Sequence, residues 1–318
     1  MMLKKDGRFV NPHVEDDRRT FMDVIRWKTG FFKDPVQDPI APKSFSYPMP
    51  KRSFNPEGSS AMWINHSTYL VSINGLNILT DPIWSRRCSP VKFFGPKRKF
   101  EAPIGIDQLP KIDFVLISHN HYDHLDEKTV LQLFHHFRHI TWIVPTGVKE
   151  WFTKRGITQV VELSWWEHHN FQGQMRVTAV PAQHFSGRTN RDLNRTLWAG
   201  YVCEFGPKRF YFVGDTGYNP HDFKRIGHTW KEMDLSLIPI GSYLPRRFMS
   251  PVHIDPYDAV CIHKEVGSKF SLGMHWKTFN LSDEKTHQPP YDLLQACKKE
   301  AVDPASFLPI EPGHIVNS

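Results

Sequence analysis

The sequence is poor in cysteine and has no long hydrophobic run, and each absence argues against a class of protein. Only four of the 318 residues are cysteine, and they are scattered without C-x-x-C spacing at Cys88, Cys203, Cys261 and Cys297. This pattern indicates neither a disulfide scaffold nor a thiolate zinc module, so a reducing compartment is expected. No apolar run approaches the roughly 20 residues that cross a bilayer, and residues 1–17 contain no apolar stretch of the signal-peptide type. We therefore expect an intracellular protein, cytoplasmic or bound peripherally to a membrane.

The composition that remains is that of a globular protein with an anionic partner. Hydrophobic residues make up 40% of the chain and aromatic residues 13%, which is enough for a real core and excludes a disordered or fibrous chain. The net charge of +7 favours phosphate esters, anionic lipid or nucleic acid as partners without choosing among them. Histidine is frequent, with 18 residues. The positions of the histidines are therefore examined for a functional site.

The first 60 residues differ from the rest because seven prolines interrupt them. Such a stretch holds little regular structure, and we expect residues 1–60 to form an extension wrapped on a domain made by residues 61–318. Within the extension, Phe21, Val24, Ile25 and Lys28 follow helical spacing. This spacing predicts a short helix that docks on the core, in preference to an element that touches a membrane.

From residue 61 onward, short β-rich runs alternate with helical patterns. Asp126 and Asp255 are predicted N-caps of two helices, the second of which ends near Val266, and a third helix is predicted to end near Lys299. We therefore expect an α/β fold in which layered sheets are covered by helices. The predicted strands are Thr68 to Ile73, Leu76 to Thr80, Phe114 to Ser118, Thr141 to Pro145, Arg176 to Pro181, Tyr201 to Phe205, Phe210 to Val213, Leu235 to Ile240 and Phe270 to Met274.

The densest polar cluster follows an apolar strand and reads H-x-H-x-D-H at His119, His121, Asp123 and His124. A chance origin is expected on the order of once in several hundred such chains, so a turn that only makes hydrogen bonds explains it poorly. Imidazole nitrogens and carboxylate oxygens are ligands suited to zinc and its neighbours. Because adjacent residues of an extended turn point to opposite sides, four donors within six residues favour two ions over one.

Three further donors lie where predicted strands end, at His184, Asp215 and His275. Ligands gather at the carboxyl ends of strands in layered α/β proteins, so these positions are expected to converge with the first cluster. The combined set of seven donors suits two ions that share one carboxylate. Asp215 is the expected bridge, because a carboxylate has two oxygens whereas an imidazole has one free lone pair.

The arrangement of these residues resembles the metallo-β-lactamase superfamily, an αββα sandwich of two mixed sheets with a dinuclear site at one edge. A narrower resemblance, to N-acylphosphatidylethanolamine-hydrolysing phospholipase D, extends from about Gly7 to Pro312. Asn65 departs from that family's pattern, which has glycine before the histidine. The segments that carry the narrower resemblance are Trp63 to His66, Leu79 to Pro82, Gly95 to Arg98, Ile117 to His124, Pro181 to His184, Gly214 to Tyr218, Ile238 to Gly241, Pro251 to Pro256 and Gly273 to Trp276.

The resemblance, combined with the chemistry of the donors, implies a metal-dependent phosphodiesterase of the phospholipase D type whose catalytic domain is residues 61–318. Two divalent ions, with Zn²⁺ as the expected metal, would hold an attacking hydroxide. The products would be N-acylethanolamine and phosphatidic acid. One ion is assigned to His119, His121 and His184, the other to Asp123, His124 and His275, and Asp215 is placed between them.

Five further residues receive supporting roles. His253 is expected to stabilise a phosphoryl oxygen or to protonate the leaving oxygen, and a turn histidine that contacts solvent is the alternative. Asp81 is expected to orient a ligating imidazole from behind, unless it is an ordinary turn aspartate, and His66 is placed in the same outer position. Tyr122 and Tyr243 are expected to line the substrate pocket, unless they serve packing.

Segments 86–99 and 246–249 both place basic residues beside aromatic residues. Two such segments favour an anionic lipid surface, although a solvated basic face explains either one alone. We therefore expect a phospholipid substrate and peripheral contact with an anionic membrane. No nucleic acid is expected, because no separate region is available for an RNA-binding module, and a homodimer is left open.

Two other functions compete with this prediction. In one, the same site hydrolyses an RNA phosphodiester, a carbon ester or a lactone. In the other, the chain is a non-catalytic metal-dependent binding module, which would have lost a ligand or the bridge, and the sequence lacks neither. Histidine and carboxylate also accept iron and manganese, so the residues alone leave the identity of the metal open.

Overall fold

Two seven-stranded sheets form the centre of the fold in the computed structural model, which describes residues 6–14, 22, 26, 27, 29–31, 40–49, 58–189 and 191–317. The first sheet contains β1 (Ser60–Asn65), β2 (Thr68–Ile73), β3 (Leu76–Thr80), β4 (Phe114–Leu116), β5 (Thr141–Pro145), β6 (Val160–Leu163) and β14 (Ile315–Asn317), in the order β14-β1-β2-β3-β4-β5-β6. Strands β1 to β3 are antiparallel, and β3 to β6 are parallel. The β2–β3 hairpin turns at Asn74 and Gly75, whose φ values of 51° and 79° suit a tight turn of this kind.

The second sheet repeats this mixture of strand directions. It contains β7 (His168–Phe171), β8 (Met175–Val180), β9 (Gly200–Phe205), β10 (Lys208–Phe212), β11 (Leu235–Pro239), β12 (Ser271–Met274) and β13 (Phe307–Leu308), in the order β13-β12-β11-β10-β9-β8-β7. Strands β7 to β10 are antiparallel, and β10 to β13 are parallel. Parallel pairing needs crossover connections, and these bring helices onto the outer faces of the sheets.

The helices cover the outer faces of the two sheets. They are α1 (Glu127–His136), α2 (Lys149–Thr153), α3 (Pro220–Trp230), α4 (Arg246–Met249), α5 (Pro256–Glu265) and α6 (Gln288–Lys299). Val130 of α1 and Phe152 of α2 pack with outward side chains of the first sheet, whereas α3, α5 and α6 contribute to the core cluster that also fills the space between the sheets. The predicted α/β fold, an αββα sandwich, is confirmed.

Each predicted strand is present within two residues of its expected ends, and both predicted N-cap residues stand directly before their helices. Asp255 caps α5 through a reciprocal pair of hydrogen bonds with Asp258. The Asp126 side chain makes no capping bond to α1 and accepts instead from the hydroxyls of Ser85 and Thr129. Strands β1, β6, β7, β13 and β14 and helices α2, α3 and α4 were not predicted. Strand β7 consists of mostly exposed polar residues, so its pairing with β8, rather than any apolar alternation, makes it a strand.

The described parts of the amino-terminal extension pack on the sandwich. Phe9 and Tyr47 are buried in the central core cluster. The prediction of a helix within residues 17–28 was based on the spacing of Phe21, Val24, Ile25 and Lys28. These four residues lie outside the described residues. The boundary at residue 60 between extension and catalytic domain stays a prediction.

Helix α4 corrects the expectation of a second exposed basic and aromatic segment. Met249 is buried, and Phe248 stacks on Trp27 with ring centroids 5.3 Å apart. The Arg246 guanidinium pairs with Asp255 at 3.2 Å and with a second carboxylate at 2.7 Å. Three of the four side chains of α4 are therefore engaged within the protein, through packing or ion pairs. None of the helices in the described ranges has the length and apolar character needed to cross a bilayer.

Candidate metal centre

The polar cluster lies at one edge of the sandwich, where strands of both sheets end. The loop after β4 carries four of the predicted donors, and His184, Asp215 and His275 follow β8, β10 and β12. All seven side chains come together although they are spread over more than 150 residues of sequence.

Unusual backbone conformations concentrate at this edge. His66, Asp81 and His275 have positive φ values of 45°, 31° and 61°, a region that costs a residue with a Cβ about 1 kcal/mol or more. Gly214 has a φ of 70°, and a Cβ there would lie 2.9 Å from the Cβ of Ser118. Glycine therefore allows the chain to approach the β4 loop closely just before Asp215.

The first group of donors consists of three imidazoles. His119 Nε2 lies 2.7 Å from His121 Nδ1, which lies 3.3 Å from His184 Nε2. The other ring nitrogens of two of these histidines have outer partners. Ser118 Oγ lies 2.8 Å from His119 Nδ1, and His184 Nδ1 donates to the Val252 carbonyl at 2.9 Å. The Val252 bond leaves His184 Nε2 as a bare nitrogen that faces the group.

The second group contains Asp123, His124 and His275. Asp123 Oδ2 lies 3.4 Å from His124 Nε2 and 3.6 Å from His275 Nε2. Asp215 Oδ2 lies 3.2 Å and 3.0 Å from the same two nitrogens, and 3.8 Å from Nε2 of His184 in the first group. Asp215 therefore stands between the two groups.

Asp81 and His66 contact the second group from outside. Asp81 is wholly buried and accepts hydrogen bonds from His124 Nδ1 at 2.6 Å and from the backbone N–H of Ser118 at 2.7 Å. His66 Nε2 lies 3.0 Å from Asp123 Oδ2, and its carbonyl accepts from the backbone N–H of His275 at 2.9 Å. The side chains of His66, Asp123, His124 and His275 lie close enough together to bind one ion. His66 therefore lies nearer to the second group than the predicted outer position.

The three residues expected at the substrate lie at different depths. His253 Nδ1 is 3.9 Å from Asp215 Oδ2, and its side chain is partly exposed, so it borders both the cluster and solvent. Tyr122 lies under the Arg188 guanidinium, 3.9 Å from the ring centroid, and its hydroxyl donates to the Arg188 carbonyl. Tyr243 is buried and its hydroxyl donates to Asp292 of α6 at 2.5 Å. The pocket role of both tyrosines stays a prediction.

The family is decided by sequence comparison, since the model of the β-lactamase superfamily domain matches residues 76–276. The chain belongs to this superfamily. It is 38% identical over 268 residues to N-acyl-phosphatidylethanolamine-hydrolyzing phospholipase D 1 of Caenorhabditis elegans, a match that covers 81% of this chain and 75% of the relative. An uncharacterized protein of Mycobacterium tuberculosis is 37% identical over 314 residues, covering 96% and 82% of the two chains.

A solved structure shows the same fold at a lower sequence identity. The metallo hydrolase Igni18 from Ignicoccus hospitalis superposes with a TM-score of 0.61 at 20% identity, covering 81% of this chain and 97% of that one. The superfamily match, the phospholipase relatives and the clustered donors make this chain a metal-dependent hydrolase.

Burial keeps the imidazoles of the first group neutral, which is the form of histidine that can bind a metal. It lowers the pKa of His119 and His184 well below the ordinary value, and it lowers the pKa of His121 to about 4. Neutral imidazole offers a lone pair to a metal, whereas imidazolium does not.

In the second group, carboxylates and imidazoles hold each other charged. Burial opposes charge on Asp123 and Asp215, but His124 and His275 outweigh it and hold the pKa of both carboxyl groups well below the ordinary value. Burial likewise lowers the pKa of His275, but Asp215 and Asp123 outweigh it and raise that pKa to about 9. Two buried carboxylates are stable only beside positive charge. Protons on the neighbouring imidazoles supply that charge, and a bound metal cation would supply it equally well.

The geometry of the donors also fits a metal. The four contacts between oxygens of Asp123 and Asp215 and nitrogens of His124 and His275 span 3.0–3.6 Å. Tetrahedral ligands about 2.0–2.1 Å from zinc are about 3.3 Å from one another. Nε2 of both histidines and Oδ1 of Asp215 are buried without a hydrogen-bond partner among the described residues. These orphaned atoms have the ligand chemistry that a divalent ion uses.

Two residues that support the centre were not predicted. Asn11, from the extension, donates through Nδ2 to the His184 carbonyl at 2.7 Å and accepts from the His184 N–H at 3.2 Å. The Arg188 guanidinium donates to the carbonyls of Asn120 and Leu125 at 3.0 Å and 2.7 Å, which bracket the β4 loop. No signal in the sequence marks either contact, because each depends on how distant loops approach.

Proposed function

We propose that this chain is a phospholipase D type phosphodiesterase that hydrolyses N-acylphosphatidylethanolamine with two divalent metal ions, Zn²⁺ being the proposed metal. The observation that carries the proposal is the position of Asp215, whose Oδ2 lies near nitrogens of both donor groups. The name of the nematode relative supports the substrate class, since 38% identity extends over most of both chains.

The proposed ligand sets follow the two groups of donors. When bound, the ions would act as Lewis acids toward a phosphoryl oxygen and would lower the pKa of a water molecule to near neutrality. Asp81 holds the His124 ring through Nδ1, so that Nε2 is directed into the centre. One ion is assigned to His119, His121 and His184, the other to Asp123, His124 and His275, and Asp215 to both.

The reaction transfers the phosphatidyl group to water. A water oxygen forms a bond to phosphorus, the bond from phosphorus to the ethanolamine oxygen breaks, and the leaving oxygen takes a proton. His253 is the proposed proton donor, because Nδ1 lies 3.9 Å from Asp215 while part of the ring faces solvent. The products are phosphatidic acid and N-acylethanolamine.

The test is turnover of detergent-dispersed N-acylphosphatidylethanolamine by the zinc-loaded protein in ¹⁸O-labelled water. We expect the label in the phosphate of phosphatidic acid and none in N-acylethanolamine, as measured by mass spectrometry. The control is Asp215→Asn, which should keep its circular dichroism spectrum and lose turnover. Parallel reactions with an RNA oligonucleotide, a carboxylic ester and a lactone test the competing substrates.

Two results would contradict the proposal. One is a fully metal-loaded protein that leaves N-acylphosphatidylethanolamine intact while it turns over another of the substrates. The other is label in the ethanolamine product, which would mean that water attacks carbon instead of phosphorus. Retained activity in Asp215→Asn would refute the bridging role of that carboxylate.

A further inference from the structure

The loop between β3 and β4 presents two adjacent aromatic side chains to solvent. Phe93 and Phe94 are 85% and 74% exposed, and Val91 beside them is 38% exposed. No other large apolar side chain in the described ranges is as exposed as either phenylalanine. Isolated exposed apolar residues are ordinary, but neighbouring exposed rings on one tip indicate a surface that contacts something apolar.

The same loop has charge of only one sign. Residues 82–100 contain six arginine and lysine residues and no aspartate or glutamate. Arg86, Lys92 and Lys97 are exposed, whereas Arg98 is buried. Lys92 and Lys97 lie within three residues of the exposed rings, one on either side, and Arg86 lies seven residues before Phe93. An anionic surface with an apolar interior complements this combination, since each basic side chain meets a phosphate while the rings leave water.

The loop is held as a narrow ribbon, which we call the 86–98 ribbon. Arg87 and Lys97 pair as in an antiparallel bridge, and the Cys88 N–H donates to the Pro96 carbonyl at 3.2 Å. The Arg87 guanidinium also donates to the Gly95 carbonyl at 2.5 Å. These bonds between the two arms fix the tip, so the phenylalanines stay outside the protein core.

The base of the ribbon is bonded to loops of the metal centre. The Ile83 carbonyl accepts from Arg98 at 2.9 Å and from Asn65, the neighbour of His66, at 3.1 Å. The Lys99 N–H donates to the carbonyl of Thr278, three residues after His275, at 2.9 Å. A surface that holds the tip therefore also holds the metal centre close to that surface.

We propose that the 86–98 ribbon anchors this protein to an anionic phospholipid bilayer, with Phe93 and Phe94 inserted at the interface and Arg86, Lys92 and Lys97 on lipid phosphates. The choice of a bilayer over a protein partner rests on the charge complementarity of the ribbon. The link to catalysis rests on the proposed function, in which the substrate is a lipid of the same bilayer. The binding itself does not depend on turnover.

The first test is co-sedimentation of the metal-loaded protein with vesicles of phosphatidylcholine, with and without phosphatidylglycerol. We expect binding to the anionic vesicles that weakens at high salt. The double variant Phe93→Ser, Phe94→Ser should lower the partition coefficient by about tenfold or more. The matched variant Phe93→Leu, Phe94→Leu keeps apolar side chains and should bind nearly as well as the wild type.

The second test removes charge. Lys92→Ala with Lys97→Ala should lower binding to anionic vesicles by about fivefold for each lysine, and should not change binding to phosphatidylcholine alone. Arg176→Ala with Lys269→Ala is the control, because these half-exposed cations lie at the opposite ends of β8 and β12 from the metal centre. Equal losses from both pairs would overturn a specific ribbon contact.

The outcomes separate this proposal from the proposed function. Turnover of detergent-dispersed substrate reports on the metal centre alone, and it should be equal in the wild type and in every ribbon variant. Wild-type protein that ignores anionic vesicles, or a serine variant that binds them as well as the wild type, overturns the anchor whatever the turnover. A serine variant that turns a dimeric wild type into a monomer with unchanged vesicle binding would instead assign the ribbon to a second copy of this chain.

Discussion

Replacement of Asn11 tests how closely the amino-terminal extension is tied to the metal centre. Its buried side-chain amide pairs with both the N–H and the carbonyl of His184, much as a neighbouring strand would. Asn11→Ala removes both bonds, and an unpaired buried backbone group costs about 1–3 kcal/mol. Because the loop can relax, we expect the free energy of unfolding to fall by about 2–4 kcal/mol. For a chain of this length that corresponds to a fall in Tm of roughly 3–6 °C.

The same variant should also affect the metal, because displacement of His184 loosens a proposed ligand. We expect metal affinity to fall by about tenfold or more in chelator competition. His13→Ala is the matched control, since His13 lies two residues away and contacts Asp222 and His221 instead. If Asn11→Ala keeps the Tm and the chelator resistance of the wild type, the extension is not part of the working centre and this reasoning is refuted.

Three further predictions concern the centre itself. Asp81→Asn should weaken metal binding by about 10- to 100-fold in chelator competition, because an amide is a poorer acceptor for His124 Nδ1 than a carboxylate; wild-type affinity would contradict this. His253→Gln should lower kcat by about 100-fold at unchanged metal content, whereas a loss of metal would mean that His253 is a structural residue. Removal of metal by a chelator should lower the Tm by several degrees, because the ions bind the folded chain only; an unchanged Tm in calorimetry would refute that coupling.

The features that sequence reasoning predicted are those with a short-range signal. The β4 strand and the histidine loop after it are adjacent in the chain, so hydrophobicity and spacing predicted both. His184, Asp215 and His275 were expected to join them because each follows an apolar strand, and parallel strands end at a common edge. Asp255 followed by Pro256 predicted the start of α5 for an equally local reason, an N-cap before proline at the first helical position.

The features that sequence reasoning missed depend on tertiary contacts. Strand β7 lacks apolar alternation and forms because β8 offers a partner. Met249 is buried although two of the four residues of its short helix are arginine. Asn11 and Arg188 carry no local pattern at all, since their partners lie far away in the sequence or belong to backbone carbonyls. The spacing of residues along the chain cannot predict which loop a side chain will meet.

The origin of the donors couples metal binding to the assembly of the sandwich. The β4 loop, His66 and Asp81 belong to the first sheet, whereas His184, Asp215 and His275 follow strands of the second. Asp215 reaches His124 at 3.2 Å across that boundary. Neither sheet alone therefore presents both proposed ligand sets, and the centre exists only when the two sheets are packed face to face. Any ion held there links the sheets, so its binding free energy adds directly to the stability of their interface.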